Sequence, residues 1–234
     1  MGQHLAMGSC PICFEPTVSS LIVCEPCQQK LKKISEPFCP LCGRPFEEKE
    51  MISHLCGICL KDKPAFDWHR SLYFYEAPLI SLVHGLKFKA YLFLIPFFVD
   101  HLLRHHFSYF ENADFLIPAP LSSNRLSKRT YNQSLELTKG LSKKTGKPYL
   151  RQALIKVKET SNQADLSLPE RQKNLQGAFK WSETGPSLEG KKIILVDDVF
   201  TTGNTLNACA EVLKKAGAKE VGCFTLALTP KKNC

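Results

Sequence analysis

At 234 residues and 44% hydrophobic content, the chain can bury one ordinary core plus a smaller unit, which excludes a disordered polymer and a disulfide miniprotein. The longest apolar run, Tyr91 to Val99, contains Pro96 and is too short to span a bilayer, and Met1 to Ser9 lacks the basic start and apolar stretch of a signal peptide. The expectation is a cytoplasmic protein with no membrane span. The formal net charge of +9 is concentrated in Asp114–Lys180, with thirteen Lys/Arg against five Asp/Glu, while residues 1–60 carry five against six. Such a basic stretch suits polyanionic ligands, either a pyrophosphate or a nucleic-acid backbone.

Eight of the eleven cysteines lie between Cys10 and Cys59, all in C-x-x-C pairs: Cys10/Cys13, Cys24/Cys27, Cys39/Cys42 and Cys56/Cys59. Reduced thiols are the default in a cytosolic chain, and paired thiolates at this spacing present sulfur to zinc from knuckle turns. Two closed four-sulfur Zn2+ sites are expected. Sequential pairing is the first choice, although an interleaved cross-brace would use the same residues. Gly43, directly after Cys42, suits such a knuckle turn. His54 reads as a surface histidine, since eight cysteines fill two sites. A closed site has no open position for substrate, so the head reads as structural; four successive pairs exceed what a redox centre needs.

Leu60 to Pro64 ends the head and divides the chain into residues 1–63 and 64–234. Phe66 to Tyr75 is aromatic and strand-like. Pro78 to Lys89 reads as a helix with Leu79, Leu82, Val83 and Leu86 on one face and Lys87 and Lys89 at its end. A further helix is expected over Leu92 to Phe107. Within it His101 and His105 have metal-ligand spacing, but no third ligand accompanies them and both read as surface residues. Asp114 to Leu121 is a short strand closed by Pro118 and Pro120. A basic loop follows, with Arg125, Lys128 and Arg129, then Asn132 and Gln133 at the start of a helix carrying Leu135, Leu137 and Leu141. Arginine suits bidentate phosphate contacts, while capping is the structural role open to Asn132 and Gln133.

Two more strands are expected at Leu150–Lys156 and Gly177–Trp181, around a polar stretch without clear period, Val157 to Asn174. The most informative segment comes next. Ile193-Ile194-Leu195-Val196 is a buried strand of the parallel-sheet kind, ending in Asp197 and Asp198. Thr201, Thr202, Gly203, Asn204 and Thr205 form a small, hydroxyl-rich turn into a helix that Gly217 closes. Loop amides and a helix N-terminus make an anion site, and adjacent carboxylates can accept hydrogen bonds from a vicinal diol. A ligand with a phosphate beside a ribose fits both. Glu220 to Thr229 is the last strand. The alternation predicts an α/β fold with a doubly wound parallel sheet and ligand beyond the carboxyl ends of its strands.

The segment from Ile193 to Thr205 resembles the phosphoribosyl pyrophosphate (PRPP) motif of type I phosphoribosyltransferases. The loop R-x-x-x-R-x-Y-N-Q-S at Arg125–Ser134 resembles that of the ComF/GntX competence family, with Thr130 where glycine is usual and Tyr131 for phenylalanine. That family also carries a cysteine-rich head, and Gln163, Leu166, Arg171, Asn174 and Ala178-Phe179 add a third match. The resemblance implies a type I phosphoribosyltransferase-like core behind a small N-terminal zinc-ribbon domain. It implies ribose contacts from Asp197 and Asp198, 5-phosphate contacts from Thr201 to Thr205, and pyrophosphate contacts from Arg125, Arg129, Asn132 and Gln133. It further implies a closing loop containing Arg171 and Asn174, and Mg2+ arriving with PRPP. Three functions are compatible: a PRPP-binding protein handling incoming single-stranded DNA in natural competence, an active phosphoribosyltransferase with unknown acceptor, and a PRPP-sensing scaffold. On the first, Lys87, Lys89, Arg125, Lys128 and Arg129 are nucleic-acid candidates, and DNA-uptake proteins are candidate partners.

Overall fold

A computed structural model describes residues 8–18, 21–46, 52–122, 126, 129–158, 175 and 177–230. The strands are β1 (Trp68–Phe74), β2 (Phe115–Pro118), β3 (Leu154–Lys156), β4 (Phe179–Trp181), β5 (Lys192–Phe200) and β6 (Glu220–Leu228). The longer helices are α3 (Leu79–Phe88), α4 (Ile95–Glu111), α5 (Gln133–Thr145) and α6 (Asn204–Lys215), preceded in the head by α1 (Glu25–Gln29) and α2 (Gly57–Lys61). One parallel sheet has the order β1-β6-β5-β2. Tyr149 adds a parallel bridge to Leu116 beyond β2, so the chain steps outward from β2 and then returns to β5 on β2's other side. That reversal makes the β2/β5 junction the switch point of the sheet. Of the stretches expected at Leu150–Lys156 and Gly177–Trp181, only Leu154–Lys156 and Phe179–Trp181 form strands, and β3 and β4 pair antiparallel, outside the main sheet.

Residue alternation along β5 builds two cores. Ile194 and Val196 pack with α3, α4 and α5, whereas Ile193 and Leu195 pack with Leu206, Cys209, Ala210 and Leu213 of α6. The sheet is therefore doubly wound. β6, buried along nearly its whole length, serves both layers.

The helix expected over Leu92 to Phe107 divides into a short 3-10 turn, Leu92–Leu94, and α4, with Pro96 in its first turn, where a missing amide costs nothing. The surface reading of His101 is corrected. It is buried, and its Nδ1 is hydrogen-bonded to the Tyr73 hydroxyl, while burial lowers its pKa to about 4. His101 belongs to the α4–β1 contact.

The two cysteine quartets fall in sequential groups, Cys10/Cys13/Cys24/Cys27 and Cys39/Cys42/Cys56/Cys59, with the sulfurs of each within 4.8 Å of one another. This arrangement excludes the cross-brace. The Cys13–Cys24 and Cys42–Cys56 sulfur separations are both 3.6 Å, close to the edge of about 3.8 Å for tetrahedral sulfurs bonded to zinc at about 2.3 Å. The quartets fit Zn2+. Each combines a knuckle with a short helix, α1 or α2, whose N-cap is a ligand cysteine. The residues just after Cys13 and Cys42 take the same left-handed turn, Phe14 at φ 65° and Gly43 at φ 67°. Only Gly43 is pressed: a Cβ there would lie 2.4 Å from the His69 carbonyl oxygen.

The head straddles the β1 edge, with one quartet in each core. Ile34 N donates to Leu72 O at 3.0 Å and Phe74 N to Lys32 O at 2.9 Å, so the chain between the quartets caps an otherwise open sheet edge. Two zinc ions per chain are expected by elemental analysis, falling to about one in Cys10→Ser or Cys39→Ser. A folded preparation free of zinc would contradict the assignment.

Candidate functional site

The site is built where β2, β5 and the end of α3 converge. β5 does not stop at the carboxylates, as the sequence suggested. It runs on to Phe200 because Asp197, Val199 and Phe200 stay in register with Thr225, Ala227 and Leu228 of β6. The acids therefore sit on a rigid strand. Asp198 is buried and accepts from Gln133 Nε2 and from Lys87 Nζ, the latter at 3.0 Å. Asp197 Oδ1 accepts from Ser134 Oγ at 2.8 Å and from the Asp198 amide at 2.9 Å. Burial, followed by the charge of Asp198, raises the Asp197 pKa to about 6.

Asn132 positions the first turn of α5. Its Oδ1 accepts from Ser134 N at 2.9 Å and Leu135 N at 3.3 Å, and its Nδ2 donates to Ala119 O at 3.0 Å. The cap thus fixes the helix to the turn after β2 and delivers Gln133 and Ser134 to the two acids. Capping holds for Asn132 but not for Gln133, whose side chain is given to Asp198. Thr130 adopts φ 62°, a left-handed conformation that costs a β-branched residue about 1–2 kcal/mol and that glycine takes freely. The Tyr131 hydroxyl donates to Leu86 O, and the Arg129 guanidinium lies 4.8 Å above the Phe88 ring. The loop is thereby seated on the end of α3. Arg125, Lys128, Arg171 and Asn174 lie outside the described residues.

The turn after β5 is shaped by Gly203, the α6 N-cap at φ 84°, where a Cβ would meet the Phe200 ring at 2.6 Å. Asn204 and Thr205 open α6, so Thr202 to Thr205 cluster around its N-terminus, while the Thr201 side chain is exposed. The Asn204 Nδ2 is a buried donor with no partner among the described residues.

A residue that the sequence gave no reason to select completes this end. Arg44, two positions beyond Cys42, is 4% exposed. Its guanidinium donates to Thr201 O at 2.9 Å and to Thr229 O at 3.2 Å and lies 5.4 Å from the Phe200 ring centroid. Its own carbonyl accepts from Cys39 N at 2.8 Å. His69 runs alongside: one ring nitrogen lies 2.8 Å from Cys42 O, the other 3.0 Å from Thr225 Oγ1, and the ring stacks on Phe200 at 4.0 Å. The second quartet is thus wired directly to the turn after β5. Lys87, a nucleic-acid candidate in the sequence, is engaged with Asp198. Lys89 lies 5.8 Å from the Tyr91 ring centroid.

A doubly wound sheet with paired acids and a glycine-capped turn at its switch point is the fold of a phosphoribosyltransferase-type protein. Residues 132–233 match the phosphoribosyl transferase domain, and residues 7–60 the double zinc ribbon domain. The chain belongs to the competence protein F family. It is 33% identical over 217 residues to Competence protein F of Haemophilus influenzae, covering 88% of this chain and 90% of that one. It is 30% identical to Competence protein ComFC of Bacillus subtilis, covering 87% and 83%, and 30% identical to DNA utilization protein YhgH of Salmonella typhimurium, covering 95% and 97%.

The raised pKa of Asp197 has a thermodynamic consequence. A carboxyl whose folded pKa exceeds its unfolded value stabilises fully below the unfolded pKa, and that contribution is lost as pH rises through the folded one. The stability of Asp197→Asn relative to wild type should therefore rise between pH 4 and pH 6 by on the order of 2 kcal/mol, less any screening from partial exposure. Urea unfolding of both proteins across that range measures it; parallel pH profiles would refute the coupling.

Proposed function

We propose that this protein binds PRPP with Mg2+ at the switch point and handles single-stranded DNA in the cytoplasm during natural competence, alongside proteins of DNA uptake. The observation that carries this reading is the pair Asp197–Asp198, held by Ser134, Gln133 and Lys87 one turn before the Gly203 N-cap. Asp197 and Asp198 hold the ribose hydroxyls, and Thr201, Thr202, Gly203, Asn204 and Thr205 surround the 5-phosphate. Arg125, Arg129, Asn132 and Gln133 serve the pyrophosphate end, and Arg171 and Asn174 belong to a segment that covers it. The names of the relatives, competence and DNA utilization, support the DNA part.

The donor set suits a hard cation only through oxygens. Asp198 already accepts from an ammonium and an amide, so Mg2+ would be held mainly by the diphosphate and ribose oxygens and by water. Bound there, Mg2+ would neutralise diphosphate charge. Lys87 gives up part of its contact with Asp198 when a diol takes the carboxylate. Its ammonium, 3.0 Å away, then lies free for ligand oxygens.

A transfer reaction remains a second reading on one specific observation. A cavity of about 680 Å3 beside the α5 entry is lined by Pro118, Pro120, Tyr131, Asn132, Arg151 and Lys156. It has room for an acceptor. Displacement of pyrophosphate from the anomeric carbon by such an acceptor would be the chemistry, and release of pyrophosphate in the presence of candidate nucleobases tests it.

Calorimetric titration of PRPP with Mg2+ tests the binding claim. Saturable binding is expected, weakened tenfold or more by Asp198→Asn and by Gly203→Ala, which drives a methyl into Phe200. Absence of binding at millimolar PRPP, or equal binding by both variants, would contradict it. Thirty-residue oligothymidylate tests the DNA part: its affinity should fall with salt as released counterions dictate.

A further inference from the structure

Three large apolar side chains are exposed within six residues at the end of α3: Phe88 at 63%, Leu92 at 37% and Phe93 at 46%. Single exposed apolar residues are ordinary, but a cluster of this kind marks a binding surface. The backbone beneath it is firmly built. Ala90 takes φ 53°, Tyr91 N donates to Gly85 O at 3.2 Å, and the Tyr91 ring lies where a Gly85 Cβ would come within 2.5 Å. Tyr91 in turn supports Phe93, with ring centroids 5.2 Å apart.

The surroundings specify the kind of partner. Arg129 lies 4.8 Å above Phe88, and Lys89 lies beside Tyr91. Among the described residues neither cation has a carboxylate partner. Rings interleaved with cations match a ligand that offers π faces and anions in alternation. The residue before Phe88 is Lys87, the ion-pair partner of Asp198. A purely apolar partner would leave the cations unmet, and a bare anion would leave the rings unused.

We propose that Phe88 and Phe93 form a stacking platform for the bases of single-stranded DNA, with Lys89 receiving an adjoining phosphate. This rests on the DNA reading above and gives it a surface. Bases stack on exposed aromatic rings with little regard to sequence, and cations beside the rings track the backbone.

The test compares the full-length protein with its Phe88→Ala, Phe93→Ala and Lys89→Ala variants, using a thirty-residue oligothymidylate and an abasic deoxyribose-phosphate strand of equal length. Each phenylalanine variant should bind oligothymidylate about tenfold more weakly with an unchanged salt slope, and Phe88→Trp should restore the loss of Phe88→Ala. Lys89→Ala should flatten the salt slope by about 0.7, one phosphate contact on a single strand. The abasic strand should not distinguish the phenylalanine variants from wild type. If wild type binds oligothymidylate and the phenylalanine variants match it, the platform is wrong and the DNA reading survives. If the variants lose the abasic strand equally, the rings are not stacking on bases and the platform is again wrong. If wild type binds neither strand, the DNA reading falls and takes the platform with it. Because all three side chains are exposed or half-exposed, unchanged melting temperatures accompany the expected result.

Discussion

The contact between the Arg44 guanidinium and the Thr201 carbonyl joins the two halves of the molecule at their most consequential point. A buried cation must have its donors satisfied, and hydrogen bonds from charged groups contribute about 1.5–3 kcal/mol each. Arg44 makes two, to the carbonyls of Thr201 and Thr229, which follow β5 and β6. Its position is set from the other side by the knuckle, whose Cys39 amide holds the Arg44 carbonyl. Hydrogen bonds among the sulfurs and burial drive the Cys42 thiol strongly upward. A dication relieves that crowding by taking all four sulfurs as thiolates. The order of the turn after β5 and the order of the second quartet are therefore two ends of one chain of contacts. A cysteine-rich head looks like an appendage, yet its second half forms part of the floor of the site.

The opposite wall depends on one capped helix. Asn132 ties α5 to the turn after β2, and the next two residues supply the hydrogen bonds that hold adjacent carboxylates in place. Two acids side by side repel, and burial followed by that repulsion raises the Asp197 pKa. Lys87, Gln133 and Ser134 offset that repulsion.

What was legible in the sequence was local. The cysteine spacing gave both quartets, since a knuckle closes within four residues. The run from Ile193 to Thr205 gave strand, turn and helix, because burial, a glycine and a helical period are all written within one stretch. The parallel alternation gave the doubly wound core. The rest depended on pairing over long separations. β5 extends through its aspartates because β6 pairs with them, which no propensity of aspartate would suggest. His101 shares its helical spacing with exposed His105, and only the position of Tyr73 on β1 makes it a buried hydrogen-bond partner. Lys87 at a helix end looks like any solvated lysine until Asp198 is placed beside it. Arg44 carried no signal beyond its nearness to Cys42.

Hydrogen exchange at the amides of residues 201–205 tests the coupling between head and site most directly. In Cys39→Ser, with the first quartet still loaded, those amides should exchange at least tenfold faster than in the fully zinc-loaded protein, while the α5 amides at Leu137 to Leu141 stay protected. Unchanged exchange at 201–205 after loss of the second zinc would contradict the account, because the knuckle would then have no hold on the turn.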